Sequence, residues 1–108
     1  MNIHEIAEKA NLTFVVEGDK DIKSGYASDL LSIVMNKAQS ESVWLTVQTH
    51  KNIVAVAKMT DIGAIIVCDG FTPDVDTIES ARKENIALLK ATDGIFALAG
   101  KLSALGIK

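Results

Sequence analysis

The stretch Thr46-Val47-Gln48-Thr49-His50-Lys51-Asn52 places two hydroxyls, two amides, an imidazole and an ammonium within seven residues. Hydroxyls and amides donate and accept hydrogen bonds, imidazole titrates near neutrality, and ammonium supplies fixed positive charge. Together they suit the rim of a pocket for a phosphate, a carboxylate or a nucleobase. The residues that follow predict a helix, whose free N–H groups also favour an anion. A plainer reading stays open beside this one. Thr49 then caps the helix, Gln48 and Asn52 satisfy loop backbone, and His50 and Lys51 are solvated. Loops carry function more often than the elements they join.

A second polar stretch is Ser24-Gly25-Tyr26-Ala27-Ser28-Asp29. Gly25 allows a tight turn or the close approach of a ligand, and Tyr26, the only tyrosine, can stack on a base or on a partner. The plainer reading is a bulge followed by a capped helix. Asp69-Gly70 reads as a turn first and a ligand contact second. The expected ligand-binding set is therefore Ser24, Gly25, Tyr26, Ser28, Asp29, Thr46, Gln48, Thr49, His50, Asn52, Asp69 and Gly70.

Catalytic and metal readings find less support. His50 with Asp29 or Asp69 is the one acid–base arrangement the residues offer, and no catalytic residue is assigned. His4 is far from His50, and neither has a Cys or carboxylate at zinc-ligand spacing, so no metal is expected. Cys68, the single cysteine, ends an apolar run and reads as a small core residue rather than a nucleophile. Trp44 lies within an apolar run and reads as core, with a dimer interface as the alternative. The chain has no Walker A string, no Gly-x-Gly-x-x-Gly and no Gly-x-Ser-x-Gly. Kinase, dehydrogenase and hydrolase readings lack their usual machinery, and no cofactor is expected.

The bulk properties narrow the class further. The chain has 108 residues, 48% hydrophobic and 23% charged, with a net charge of −3. That balance predicts one globular domain over residues 1–108. Its 11 Lys and Arg are dispersed, so no nucleic-acid partner is expected. No apolar run is long enough to span a bilayer, and the N-terminus lacks a signal-peptide pattern. A cytoplasmic protein is expected.

Elements must bring the polar stretches together. Apolar runs over 12–16, 43–47, 64–68 and 86–89 predict buried strands, and a weaker strand is expected over 22–26. These runs do not alternate strictly, which suits strands covered on both faces. After an opening helix, stripes at helical spacing predict four more: Leu30, Leu31, Val34, Met35 and Ala38; Ile53, Val56 and Ala57; Val75, Ile78 and Ala81; Ile95, Leu98, Ala99, Leu102 and Leu105. All four stripes are expected to face the core. Ser28 or Asp29, Thr72 before Pro73, and Thr92 or Asp93 are expected caps, and Gly106 is placed to end the last helix. The alternation predicts a three-layer α/β/α sandwich with a small, mainly parallel sheet. In such a sheet the loops at 27–29, 48–52, 69–71 and 90–94 all leave one edge, where ligands bind.

Ser24 to Ser32 and Trp44 to Ala57, above all the Thr46-x-Gln48-x-His50-x-Asn52-Ile53 string, resemble the DRTGG domain family, specifically its small stand-alone members. The resemblance continues through Ile65 to Gly70, Pro73-Asp74, Ala81 to Ile86 and Phe96 to Leu102. It implies a three-layer α/β fold, usually dimeric, acting as a regulatory module. Such domains accompany phosphotransacetylases, CBS-domain pyrophosphatases and the N-terminal part of HPr kinases. In the pyrophosphatases they help form the site for diadenosine polyphosphates. Stand-alone relatives are often encoded beside iron-hydrogenase components. The expectation is thus a non-catalytic, nucleotide-sensing homodimer. The alternative is an assembly module with no small ligand, partnered with a metabolic enzyme through exposed parts of helices carrying Leu30, Met35 or Met59. The name-giving Asp-Arg-Thr-Gly-Gly string is absent. Its nearest equivalent lies around Lys23 to Tyr26, and the sole arginine, Arg82, stands elsewhere.

Overall fold

A computed structural model describes residues 1–108. In chain order the elements are α1 (Ile3–Ala10), β1 (Thr13–Val16), β2 (Ser24–Ala27), α2 (Leu31–Lys37), β3 (Ser42–Thr46), α3 (Asn52–Thr60), β4 (Ala64–Val67), α4 (Val75–Lys83), β5 (Ala87–Lys90) and α5 (Ile95–Ala104). The strands form one sheet in the order β1-β5-β4-β3-β2. β2 to β5 are mutually parallel, and β1 pairs antiparallel with β5.

The sheet is covered on both faces. Trp44, Ile65, Val67 and Leu88 point to one side, where they pack with Val34 of α2, Ile53, Val54, Val56 and Ala57 of α3, and Ala81 of α4. Val43, Leu45, Ala64, Ile66 and Leu89 point to the other side, against Ile3, Ile6, Ala7 and Ala10 of α1 and Leu98 and Leu102 of α5. This double cover is why β3 and β4 are buried at every position and read as unbroken apolar runs. β2 to β5 neighbour one another in chain order. Right-handed crossovers therefore place α2, α3 and α4 on one face, and α5 then turns to the opposite one.

The two ends of the parallel strands differ. Residues 17–23, linking β1 to β2, run along the amino ends. Gly18 sits so close to Ala87 that an added Cβ would lie 2.5 Å from its Cβ, and Gly63 abuts Ile22 in the same way. The Lys23 N–H donates to the Glu41 carbonyl at 2.9 Å, and Ile3 N–H donates to the Lys20 carbonyl at 3.0 Å. This segment covers the amino edge, while the carboxyl ends carry the polar loops.

Several local expectations are corrected. α4 begins at Val75 after an Asp74 cap, two residues later than the Thr72-Pro73 signal implied, and Thr72 instead meets Lys90. Gly94, rather than Thr92 or Asp93, caps α5. Lys51, rather than Thr49, caps α3. Leu30 is the cap of α2; Ser28 supports it by accepting from its N–H at 3.1 Å, whereas Asp29 faces β3. Gly106, at φ +101°, follows the end of α5 as expected. Leu30, Met35 and Val75 are exposed rather than core. β2 spans Ser24–Ala27 in continuous register with β3, without a bulge. Trp44 is fully buried in the core.

Candidate functional site

Asp29 leaves β2 at the carboxyl edge and reaches across to β3. Its Oδ1 accepts from the Thr46 hydroxyl at 2.7 Å and from the Val47 N–H at 2.8 Å. Gln48 Nε2 donates to the Asp29 carbonyl at 3.1 Å, and Gln48 N–H donates to Thr46 Oγ1 at 3.1 Å. Beneath them Trp44 Nε1 donates to the Ser28 carbonyl at 2.8 Å. Ser28, Asp29, Thr46 and Gln48 are thus brought together, and each is bonded to the others or to adjacent backbone. The arrangement staples the β2–α2 loop to the end of β3. It satisfies the Thr46 hydroxyl, which is fully buried and would otherwise be left unpaired.

The next loop is pinned as well. The Thr49 carbonyl accepts from the Asp74 N–H at 3.1 Å and from the buried Thr77 hydroxyl at 2.7 Å, tying it to the start of α4. His50 Nδ1 accepts from the Asn52 N–H at 3.2 Å, so the exposed imidazole engages the first backbone N–H of α3. The Asn52 side chain lies with Lys51, Lys58 and Glu84 along a groove between α3 and α4.

Ser24, Gly25 and Tyr26 do not join this edge. Ser24 pairs with Ser42, the first residue of β3, which places it at the amino end of the sheet. Gly25 N–H donates outward to the Lys108 carbonyl at 2.7 Å. Gly25 and Tyr26 line an apolar cavity of about 220 Å³ between β2 and α5, with Leu45, Leu102 and Ile107.

The ends of β4 and β5 are built differently. Asp69 N–H donates to the Asp93 carbonyl at 2.8 Å, and Gly70 N–H donates to the Ala91 carbonyl at 2.9 Å. Asp69 and Gly70 both have positive φ, +62° and +73°, which turns the chain sharply. From here the β4 loop runs to α4 on one face and the β5 loop to α5 on the other, which is the divergence that opens a crevice in parallel sheets. Gly94 packs against Asp69, where an added Cβ would stand 3.2 Å from Oδ1. Lys101 pairs with Asp93 at 2.7 Å. Lys90 Nζ donates to the Thr72 hydroxyl at 2.7 Å. Beside it lies a cavity of about 250 Å³ lined by Asn11, Thr13, Gly70, Lys90, Ala91 and Thr92. Phe71 and Phe96, on the loop after β4 and in the first turn of α5, leave the same edge exposed to solvent.

Of the expected set, Asp69 and Gly70 belong to this crevice. Asn11, Thr13, Thr72, Lys90 and Thr92 were not among the expected contacts. Their signal lay in topology rather than in local polarity, because consecutive loops that turn to opposite faces mark the crevice.

Cys68 closes β4 between the two halves of the edge. Burial pushes its thiol up from 9.0 to about 11; the Thr46 backbone hydrogen bond opposes this, and the carboxylates of Asp69, Asp29 and Asp93 add to it. The thiol is therefore neutral at physiological pH. No helix is long and apolar enough to cross a membrane.

No family model and no curated protein matches the chain in sequence. In structure the chain is similar to the CBS and DRTGG domains of the regulatory region of a Clostridium perfringens pyrophosphatase, solved with the activator diadenosine tetraphosphate. The TM-score is 0.72 at 14% identity, over 93% of this chain and 45% of that one, so this chain spans less than half the length of its match. That similarity and the sequence resemblance agree: the chain has a DRTGG-like three-layer α/β fold.

Proposed function

We propose that residues 1–108 form a single regulatory, ligand-binding module that senses a nucleotide, acts as a homodimer in the cytoplasm and catalyses no reaction. The observation that carries this reading is the carboxyl edge, where the α1–β1 connection, Gly70 and residues 90–92 line a cavity whose one charged residue is Lys90. Exposed Phe71 and Phe96 leave the same edge, and aromatic faces stack on bases. The similar pyrophosphatase region carries a dinucleotide activator, which supports a nucleotide as the ligand class here. The non-catalytic reading is supported by the groups that chemistry would need. His50 Nδ1 is engaged by backbone, Asp29 Oδ1 by Thr46 and Val47, and Cys68 is held as a neutral thiol.

Thermal melts with mononucleotides and dinucleoside polyphosphates test the nucleotide, since a ligand selective for the folded state raises Tm. A saturable rise is expected. No rise with any nucleotide would overturn nucleotide sensing. Sedimentation equilibrium tests the dimer, and a monomer at all concentrations would contradict it.

One observation favours a second reading, an assembly module without a small ligand that docks on a metabolic enzyme. Leu30 is 60% exposed and Met59 71% exposed, and Met35 is exposed between them in sequence on the α2 and α3 helices and their approaches. Substituting all three with Ser leaves nucleotide binding intact under the first reading and abolishes partner capture under the second.

A further inference from the structure

We propose that the cavity beside Lys90 is a phosphate-binding subsite, formed by Asn11, Thr13, Gly70, Lys90 and Thr92. The inference deepens the proposed function, rests on the reading of the carboxyl edge as the ligand edge, and names the part of the ligand this pocket takes.

Three separated segments build the pocket. Asn11 ends α1 in the left-handed conformation, at φ +59°, and delivers the chain to β1. Thr13 lies directly opposite Lys90 in the antiparallel ladder, so their side chains share one face of the sheet. Thr92 follows Lys90 by two residues and extends the same side beyond the strand end. Gly70 turns the β4 loop across the top. Asn11, Thr13 and Thr92 are exposed, so their side-chain donors are accessible to a ligand.

The charge pattern selects the ligand. The chain as a whole is acidic, yet no carboxylate lines this cavity. The five ion pairs of the molecule leave Lys90 out. Lys90 is half-buried as a residue, and its ammonium has an exposed hydroxyl as its partner, the Thr72 Oγ1. Two acids of the same loops are engaged elsewhere: Asp93 pairs with Lys101, and the Asp69 carboxylate lies against Gly94. An ammonium with spare N–H donors, two hydroxyls and an amide offers donors in several directions around one point. That suits the tetrahedral array of acceptor oxygens on a phosphoryl group. A lysine acts there as a point charge, without the planar fork that arginine presents to carboxylates. At about 250 Å³ the cavity has ample room for a phosphoryl group.

The test is a titration of inorganic phosphate, at matched ionic strength, into isotope-labelled wild type, Lys90→Met, Thr13→Val and Lys37→Met, following backbone amides. Lys37 lies on α2, away from this cavity, and its substitution makes the same change in net charge. Methionine keeps the apolar stem of Lys90, and the melting curve of each variant checks its fold. Saturable shifts at Thr13, Gly70, Ala91 and Thr92 are expected in wild type and Lys37→Met. Affinity should fall about tenfold or more in Lys90→Met, as for loss of a charged hydrogen bond, and by less in Thr13→Val. Shifts that never saturate, or that persist unchanged in Lys90→Met, would overturn the subsite. A nucleotide titration of the same samples separates the two claims. Nucleotide binding without a response at these amides defeats the subsite alone. A phosphate response without nucleotide binding defeats nucleotide sensing and leaves the subsite standing.

Discussion

Both halves of the carboxyl edge carry polar groups, and they differ in what those groups do. On the β2–β3 side, Ser28, Asp29, Thr46 and Gln48 bond to one another and to nearby backbone. On the β4–β5 side, Lys90 meets a hydroxyl beside an open cavity lined by Thr13, Thr92 and Asn11. The first half is a staple holding two strands and a helix start in place. The second has donors to spare. Density of polar residues and availability to a ligand are therefore different properties: polar groups without internal partners are the ones that gain from an incoming ligand what water now supplies.

The contrast can be attacked at its strongest point first. Trp44→Ala removes a fully buried indole and its bond to the Ser28 carbonyl, and should destabilise the fold by about 3–5 kcal/mol in urea titrations. A loss well under that would mean the staple rests on something other than the core beneath it. Asp29→Ala strands the buried Thr46 hydroxyl and the Val47 N–H, with an expected loss of about 2 kcal/mol. Phosphate affinity should be unchanged in that variant, which separates structure from binding.

Cys68, at the boundary, gives a pH signature. Folding favours its protonated thiol, so its contribution to stability is full below pH 9.0 and is lost as pH rises toward about 11. Across that window Tm should fall more in wild type than in Cys68→Ala, and parallel curves would mean the thiol is not desolvated. The smallest effect on stability is expected for Lys90→Met, within about 0.5 kcal/mol, although this variant should lose phosphate binding. A large destabilisation there would make Lys90 a structural residue like Asp29.

Much of the fold was legible because burial on both faces forces Val, Ile and Leu into β3 and β4. β2 was only weakly legible. It is an edge strand whose exposure alternates, with Ser24 and Tyr26 half-buried and Gly25 and Ala27 exposed. The direction of β1 is not written in Thr13-Phe14-Val15-Val16; it follows from the 17–23 segment that crosses the amino ends of the sheet. The helix caps slipped for a similar reason. Thr72 looks like a cap until Lys90, distant in sequence, takes its hydroxyl. Among site residues, Thr46 and Gln48 looked available because their partner Asp29 stands in another loop, 17 residues from Thr46. The Lys90 cavity was hidden by the opposite effect. Its lining comes from three segments, none of them dense enough in polar residues to stand out alone.

The most direct test of the account is a backbone amide map of the wild-type protein during titration with a dinucleoside polyphosphate. Saturable changes are expected to centre on Thr13, Gly70, Ala91, Thr92 and Phe96, with Ser28, Asp29, Thr46 and Gln48 nearly still. Changes centred on the Asp29 staple, with the Lys90 side silent, would contradict it.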